Sequence, residues 1–169
     1  MQKKNNKKPF QLIILGGGTA GWMAANLFVK KWPNEQVKVT LVESPEIPIV
    51  GVGEGSTPTL KRFFNLINIT EKEWMPHCNA TYKVNIKFKQ WSPNSGIEYY
   101  SHPFTTQVDT FTAPLFISNS FNRRLGMNVH ITPEDFLLNG WLAREGKGPI
   151  TPENFPFIME YGYHFDSHL

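Results

Sequence analysis

Six residues, Gly16-Gly17-Gly18-Thr19-Ala20-Gly21, narrow the folds open to this chain more than any other stretch. They carry G-x-G-x-x-G at Gly16, Gly18 and Gly21, and their neighbours give the pattern its meaning. Before them, Gln11-Leu12-Ile13-Ile14-Leu15 is a short apolar run that predicts a fully buried strand of a parallel sheet. After them, Ala20 to Lys31 is rich in Ala, Leu, Met and Lys and predicts a helix that Pro33-Asn34 ends. Val37 to Val42 predicts a second, β-branched strand, so the stretch makes one βαβ unit. The first glycine allows a tight turn. The second lets the backbone approach a pyrophosphate resting on the helix N-terminus, and the third lets the helix pack on the strand. Glu43 ends the second strand, 22 residues after Gly21. A carboxylate there accepts both hydroxyls of an adenosine ribose and repels a 2′-phosphate, which predicts FAD or NAD and not NADP.

Composition removes several classes. Of 169 residues, 40% are hydrophobic and only 18% charged, so the chain is no disordered polyelectrolyte. It has no apolar run of about 18 residues, hence no membrane-spanning helix. Cys78 is the single cysteine, which forbids an internal disulfide and points to a reducing compartment, here the cytoplasm. The formal charge of +3 belongs to a tail: residues 1–9 hold Lys3, Lys4, Lys7 and Lys8 and read as disordered. Without those four the balance is 13 basic to 14 acidic residues. The five tryptophans are scattered and not interleaved with basic residues, so neither nucleic acid nor a membrane is an expected partner. His164-x-Asp166-x-His168 has metal-like spacing but no further ligand, and no metal is predicted.

A long glycine-punctuated loop, Glu43 to Thr57, follows the βαβ unit and suits closure over a large flat cofactor. Thr57-Pro58 then predicts a helix start, and Thr70-x-x-Glu73 a capping box. From Thr81 to Trp91 the pattern alternates: Tyr82, Val84, Ile86 and Phe88 on one face, Lys83, Asn85, Lys87 and Lys89 on the other. That predicts one half-buried strand, with another over Ile97 to Ser101. Beyond Pro93 the prolines predict irregular, surface-wrapping structure with one helix, from Thr132-Pro133 to about Arg144.

At this level of detail the sequence resembles the flavin-dependent halogenases of the tryptophan halogenase type. The resemblance rests on Gly16 to Ala25 with Trp22-Met23-Ala24-Ala25, on Val39 to Ser44, on Ile47-Pro48, and on Gly51-Val52-Gly53-Glu54 with Pro58. It continues through Glu73-Trp74-Met75-Pro76, Asn79-x-x-Tyr82-Lys83-x-x-Ile86-Lys87-Phe88-x-x-Trp91, His102-Pro103-Phe104 and His164-Phe165-Asp166 with Leu169. It covers the chain from about Phe10 onward.

The resemblance implies an α/β fold: an FAD-binding Rossmann-like βαβ unit plus mixed α+β segments on the substrate side, all part of a larger flavin monooxygenase-like fold. It implies an enzyme that uses FADH2, O2 and chloride or bromide to make hypohalous acid, which meets a lysine beside an indole or tryptophan-like substrate. That lysine falls on Lys83. A neutral amine can be halogenated to a haloamine; an ammonium can hydrogen-bond hypohalous acid and sharpen its electrophilicity. By the same resemblance Gly16, Gly17, Gly18, Thr19 and Ala20 hold the pyrophosphate and Glu43 the ribose. Ser44, Ile47, Val50, Glu54 and Gly55 line the flavin side, and His102 and Phe104 pack against the substrate ring. A separate flavin reductase is the implied partner, and a homodimer is compatible.

Residues 10–91 are thus expected to hold the FAD-binding unit, the flavin loop and the lysine strand, and 92–169 the substrate side. The Trp-x-Trp-x-Ile-Pro signature, the glutamate that pairs with the lysine and the halide segment are not found in these residues. The expected whole is therefore longer, and this part alone is expected to be inactive. Two alternatives stay open: a related FAD-dependent hydroxylase, and a non-catalytic dinucleotide-binding module.

Overall fold

The computed structural model describes residues 8–47 and 54–166. The glycine-rich turn does join a strand to a helix. β1 (Phe10–Leu15), α1 (Thr19–Lys31) and β2 (Val37–Val42) form the βαβ unit, and the two strands run parallel in register from Phe10–Val37 to Leu15–Val42. β1 departs from the expected full burial. Leu12 and Ile14 are half-buried, while Ile13 and Leu15 are 68% and 86% exposed. Successive side chains point to opposite faces of a pleat, and among the described residues α1 packs on only one of them.

α2 (Pro58–Ile67) starts where Thr57-Pro58 predicts, with extended Thr57 at its N-cap and proline in its first turn. α3 (Glu71–Trp74) carries the expected capping box, the Thr70 N–H donating to the Glu73 carboxylate at 2.7 Å. A 3-10 turn, Met75–Cys78, follows. The strand expected from Thr81 to Trp91 is instead two. β3 (Thr81–Lys83) and β4 (Asn85–Lys89) part at Val84, whose carbonyl accepts the Phe104 N–H at 3.0 Å. The break lets each half take its own antiparallel partner: β4 pairs with β5 (Tyr99–Pro103), and β3 with β6 (Gly162–His164).

The second half is more regular than its prolines predict. α4 (Ala113–Arg124) is a 12-residue helix with Pro114 in its first turn, where a missing N–H costs nothing. The helix expected from Thr132 is divided into a 3-10 turn, Pro133–Asp135, and α5 (Leu138–Arg144). The division has a local cause. Leu137 is extended, and Asp109, 2% exposed, accepts the Leu138 N–H at 2.8 Å, capping α5 from another part of the chain.

The core lies between these parts. Met159, Tyr161 and Tyr163 are buried, and Leu60, Trp74, Tyr82, Val84 and Leu138 pack on them. Trp74 stacks on Phe64 at 4.4 Å and meets Tyr163 edge-on at 4.8 Å, geometries worth about 0.5–1.5 kcal/mol each beyond area. Among the described residues no helix is long and apolar enough to cross a membrane.

Candidate functional site

The nucleotide turn is shaped by what its glycines lack. Gly16 has φ +111°, a backbone that side chains rarely adopt, and its N–H is held by the Val42 carbonyl at 2.8 Å. A Cβ on Gly17 would occupy the space of the Glu43 carboxylate. A Cβ on Gly18 would meet nothing within 4 Å, so the backbone at the N-cap of α1 faces open space. No acid lies in the first turn of α1 to repel an anion. Exposed Thr19 and Ala20 open the helix, and exposed Glu43 lies at the end of β2 against Gly17. An open helix N-terminus with a carboxylate at the next strand end fits a dinucleotide such as FAD. Ser44 accepts the Glu46 N–H at 3.3 Å, and Ile47 is 75% exposed beyond it. Val50 lies outside the described residues, as does His168.

A second group of predicted residues assembles around Lys83. It stands on β3 opposite Gly162 and is half-buried, whereas Lys87 and Lys89 of the same alternating pattern are exposed. The Lys83 Nζ lies 5.9 Å from the Phe104 ring centroid. A methyl on Gly55 would sit 3.0 Å from that Nζ and 3.3 Å from the His164 imidazole. Gly55 bridges to His164 beside β6, and the Glu54 carbonyl accepts the Phe165 N–H at 3.1 Å. Lys83, Gly55, His164 and Phe104 therefore share one neighbourhood.

His102 and Phe104 line a cleft of about 250 Å³ with Pro58, Arg62, Thr105 and Glu160. Arg62 and Glu160 form an ion pair of 3.0 Å at this cleft. A larger hollow of about 390 Å³, lined by Phe111, Phe136, Trp141 and Phe155 among others, contains none of the sequence-predicted site residues.

Behind β3 and β6 lies a polar cluster that pattern reasoning missed. Glu71 accepts the Tyr82 hydroxyl at 2.9 Å, that of Tyr161 at 2.8 Å and that of Tyr163 at 2.7 Å. Burial first, then hydrogen bonding to Glu71, pushes Tyr82 up to about 12 and also raises Tyr161 and Tyr163. The signal available was Tyr161-x-Tyr163, two phenols at the spacing that puts side chains on one face of an extended segment. Nothing in the sequence marked Glu71 as their acceptor, nor Asn139 as a buried hub.

The tryptophan halogenase family model matches residues 11–169. The chain is 49% identical over 173 residues to tryptophan 7-halogenase RebH of Lentzea aerocolonigenes, covering 94% of this chain and 32% of that protein. It is 48% identical over 100 residues to tryptophan 6-halogenase SttH of Streptomyces toxytricini, covering 59% of this chain and 18% of that one. The crystal structure of SttH superposes with a TM-score of 0.70 at 33% identity, over 95% of this chain and 31% of that chain. Xcc4156, a flavin-dependent halogenase from Xanthomonas campestris, gives 0.68 at 34% identity, over 95% and 31%. The chain thus spans a third or less of these relatives.

Proposed function

The chain belongs to the tryptophan halogenase family, and we propose that it forms the FAD-binding and lysine-bearing part of an enzyme that halogenates an indole or tryptophan-like ring. Residues 10–91 would supply the cofactor side and 92–169 the substrate side. The single observation that carries the reading is the half-buried Lys83 amine 5.9 Å from the Phe104 ring, beside Gly55 and His164.

The backbone of Gly16 to Ala20 would hold the FAD pyrophosphate and Glu43 the ribose. Ser44, Ile47, Val50, Glu54 and Gly55 would lie along the flavin. Bound as FADH2, the cofactor would supply two of the four electrons that reduce O2, and chloride or bromide the other two, giving hypohalous acid and water. The residues of this chain then do three things. Phe104 and His102 hold a flat ring in the cleft. Lys83 holds the halogen, as hypohalous acid hydrogen-bonded to its ammonium or as a haloamine on its neutral amine. The ring carbon facing Nζ takes the halogen as the O–halogen or N–halogen bond breaks, and its proton goes to the hydroxide released, forming water, or to the freed Lys83 amine. A separate reductase would renew FADH2, and a cytoplasmic enzyme, free to form a homodimer, suits that supply.

The test is Lys83→Ala in the whole protein. Halogenated product is expected to vanish while FAD binding and reduced-flavin oxidation persist. Normal product formation would refute the assignment.

A further inference from the structure

The two walls of the cleft are tied to one buried amide. Asn139, on α5, is 0% exposed. Its Nδ2 donates to the Phe104 carbonyl at 2.6 Å and to the Glu160 carbonyl at 2.7 Å. With two acceptors facing one atom, the amide's orientation is fixed: its oxygen there would meet only oxygens. Oδ1, on the other side, is buried and makes no hydrogen bond with the protein. Such an uncompensated group costs about 1–3 kcal/mol, a cost the amide carries on one side while its N–H groups satisfy two carbonyls that an apolar side chain would leave unpaired. The two carbonyls belong to residues that line the same cleft, and one of them, Phe104, carries the ring whose centroid lies 5.9 Å from the Lys83 Nζ. Gly140, next on α5, has no room for a Cβ: one would lie 3.0 Å from Pro103 and 2.9 Å from Glu134. The helix is thereby seated against the β5 end from which Phe104 projects.

From this geometry we propose that Asn139 is a positioning residue for halogenation. It touches neither substrate nor halogen. By clamping the Phe104 and Glu160 backbones together it sets the distance of the aromatic wall from the Lys83 amine, and so which ring carbon faces Nζ. The inference rests on the halogenase reading above.

The experiment compares Asn139→Leu and Asn139→Ser with wild type in the whole protein, using tryptophan as probe. Leucine keeps the volume and removes both donors; serine leaves a hydroxyl able to reach one carbonyl and keeps the variant set testable if leucine does not fold. Leu142→Ala, which thins the same helix's packing without touching either carbonyl, controls for general softening. The expected result is a mixture of positional isomers from Asn139→Leu, with kcat/KM down about ten- to a hundredfold, as ångström-scale misplacement of a reacting ring produces. Asn139→Ser is expected to fall between that variant and wild type. FAD affinity is expected to stay unchanged throughout. An unaltered isomer ratio in a folded Asn139 variant overturns the inference, as does equal scrambling by Leu142→Ala. If wild type halogenates no aromatic substrate at all, the halogenase reading fails and the inference with it, a result distinct from an unaltered ratio.

Discussion

Glu43 and Gly17 make the contact on which the proposed nucleotide role of the glycine-rich turn can be tested. A turn that only reverses the chain has no use for a carboxylate folded against its middle glycine, yet Glu43 fills the place a Gly17 side chain would take. In the FAD reading proposed above, the carboxylate packed there at the end of β2 would take the ribose on the open side of Gly18. Glu43→Ala is expected to weaken FAD binding at least about tenfold, the value of one of the two charge-assisted hydrogen bonds proposed there. Titration of flavin fluorescence measures it, and an unchanged affinity removes the ribose role. Gly55 is decided by a similar argument. A methyl 3.0 Å from the Lys83 Nζ pushes the amine by a few tenths of an ångström or more. Gly55→Ala is expected to lower the halogenation rate about tenfold while Tm holds, because Gly55 itself is exposed. An unchanged rate with intact fold places the reacting amine elsewhere.

The elements around Lys83 are fitted by backbone contact, and β6 is held closely against Ser56. Ser56 donates its N–H to the Tyr163 carbonyl at 2.8 Å, and its hydroxyl oxygen accepts the Tyr163 N–H at 2.9 Å. Gly162 lies so close that a Cβ would overlap the Ser56 carbonyl. Gly162→Ala is therefore expected to displace β6, costing about 1–3 kcal/mol. The loss is read as a lower Tm in thermal denaturation of the whole protein. A wild-type Tm would show that β6 shifts freely. Elements whose signals are local were legible in the sequence: α1 after its glycines, α2 after Thr57-Pro58, α3 behind its capping box. Those set by distant partners were not. The break at Val84 comes from a bond to Phe104, and the delayed start of α5 from Asp109, both far along the chain. α4 was hidden for a different reason. Ser118, Asn119, Ser120 and Asn122 blur the apolar period of a helix whose Leu115 and Phe121 are each 59% exposed. At the candidate site, Lys83 could not be told from Lys87 and Lys89 by alternation, and only the surrounding motif singled it out. Asn139 carried no signal because its partners are backbone carbonyls.

For the molecule as a whole, the core rests on phenols. Tyr161 and Tyr163 are two of its three main buried residues, and with Tyr82 they converge on the Glu71 carboxylate. One carboxylate thereby ties α3 to both strands of the Lys83 sheet. A phenol in that setting must stay protonated: ionising it would strand a second negative charge in the core beside Glu71. The unfolded chain ionises its tyrosines near pH 10, whereas Tyr82 in the fold waits until about 12, burial being the larger cause and Glu71 the next. A folded pKa above the unfolded one means the native state holds more protons between those values. Its contribution to stability is fully present below about pH 10 and is lost as pH rises through 10 toward 12. Tyr161 and Tyr163, raised for the same reasons, steepen the loss. Denaturant midpoints are thus expected to stay level with respect to these groups up to about pH 9.5 and then to fall. The ionisation absorbance of the cluster near 295 nm should grow together with loss of near-ultraviolet circular dichroism. Glu71→Gln keeps the shape and removes the charge. Its midpoint should lie lower at neutral pH, because charge-assisted bonds become neutral ones, and its alkaline fall should be shallower, because only burial still raises the phenols. A wild-type midpoint that does not move between about pH 9.5 and 12 would mean that these phenols ionise alike folded and unfolded, and that Glu71 does not hold the core.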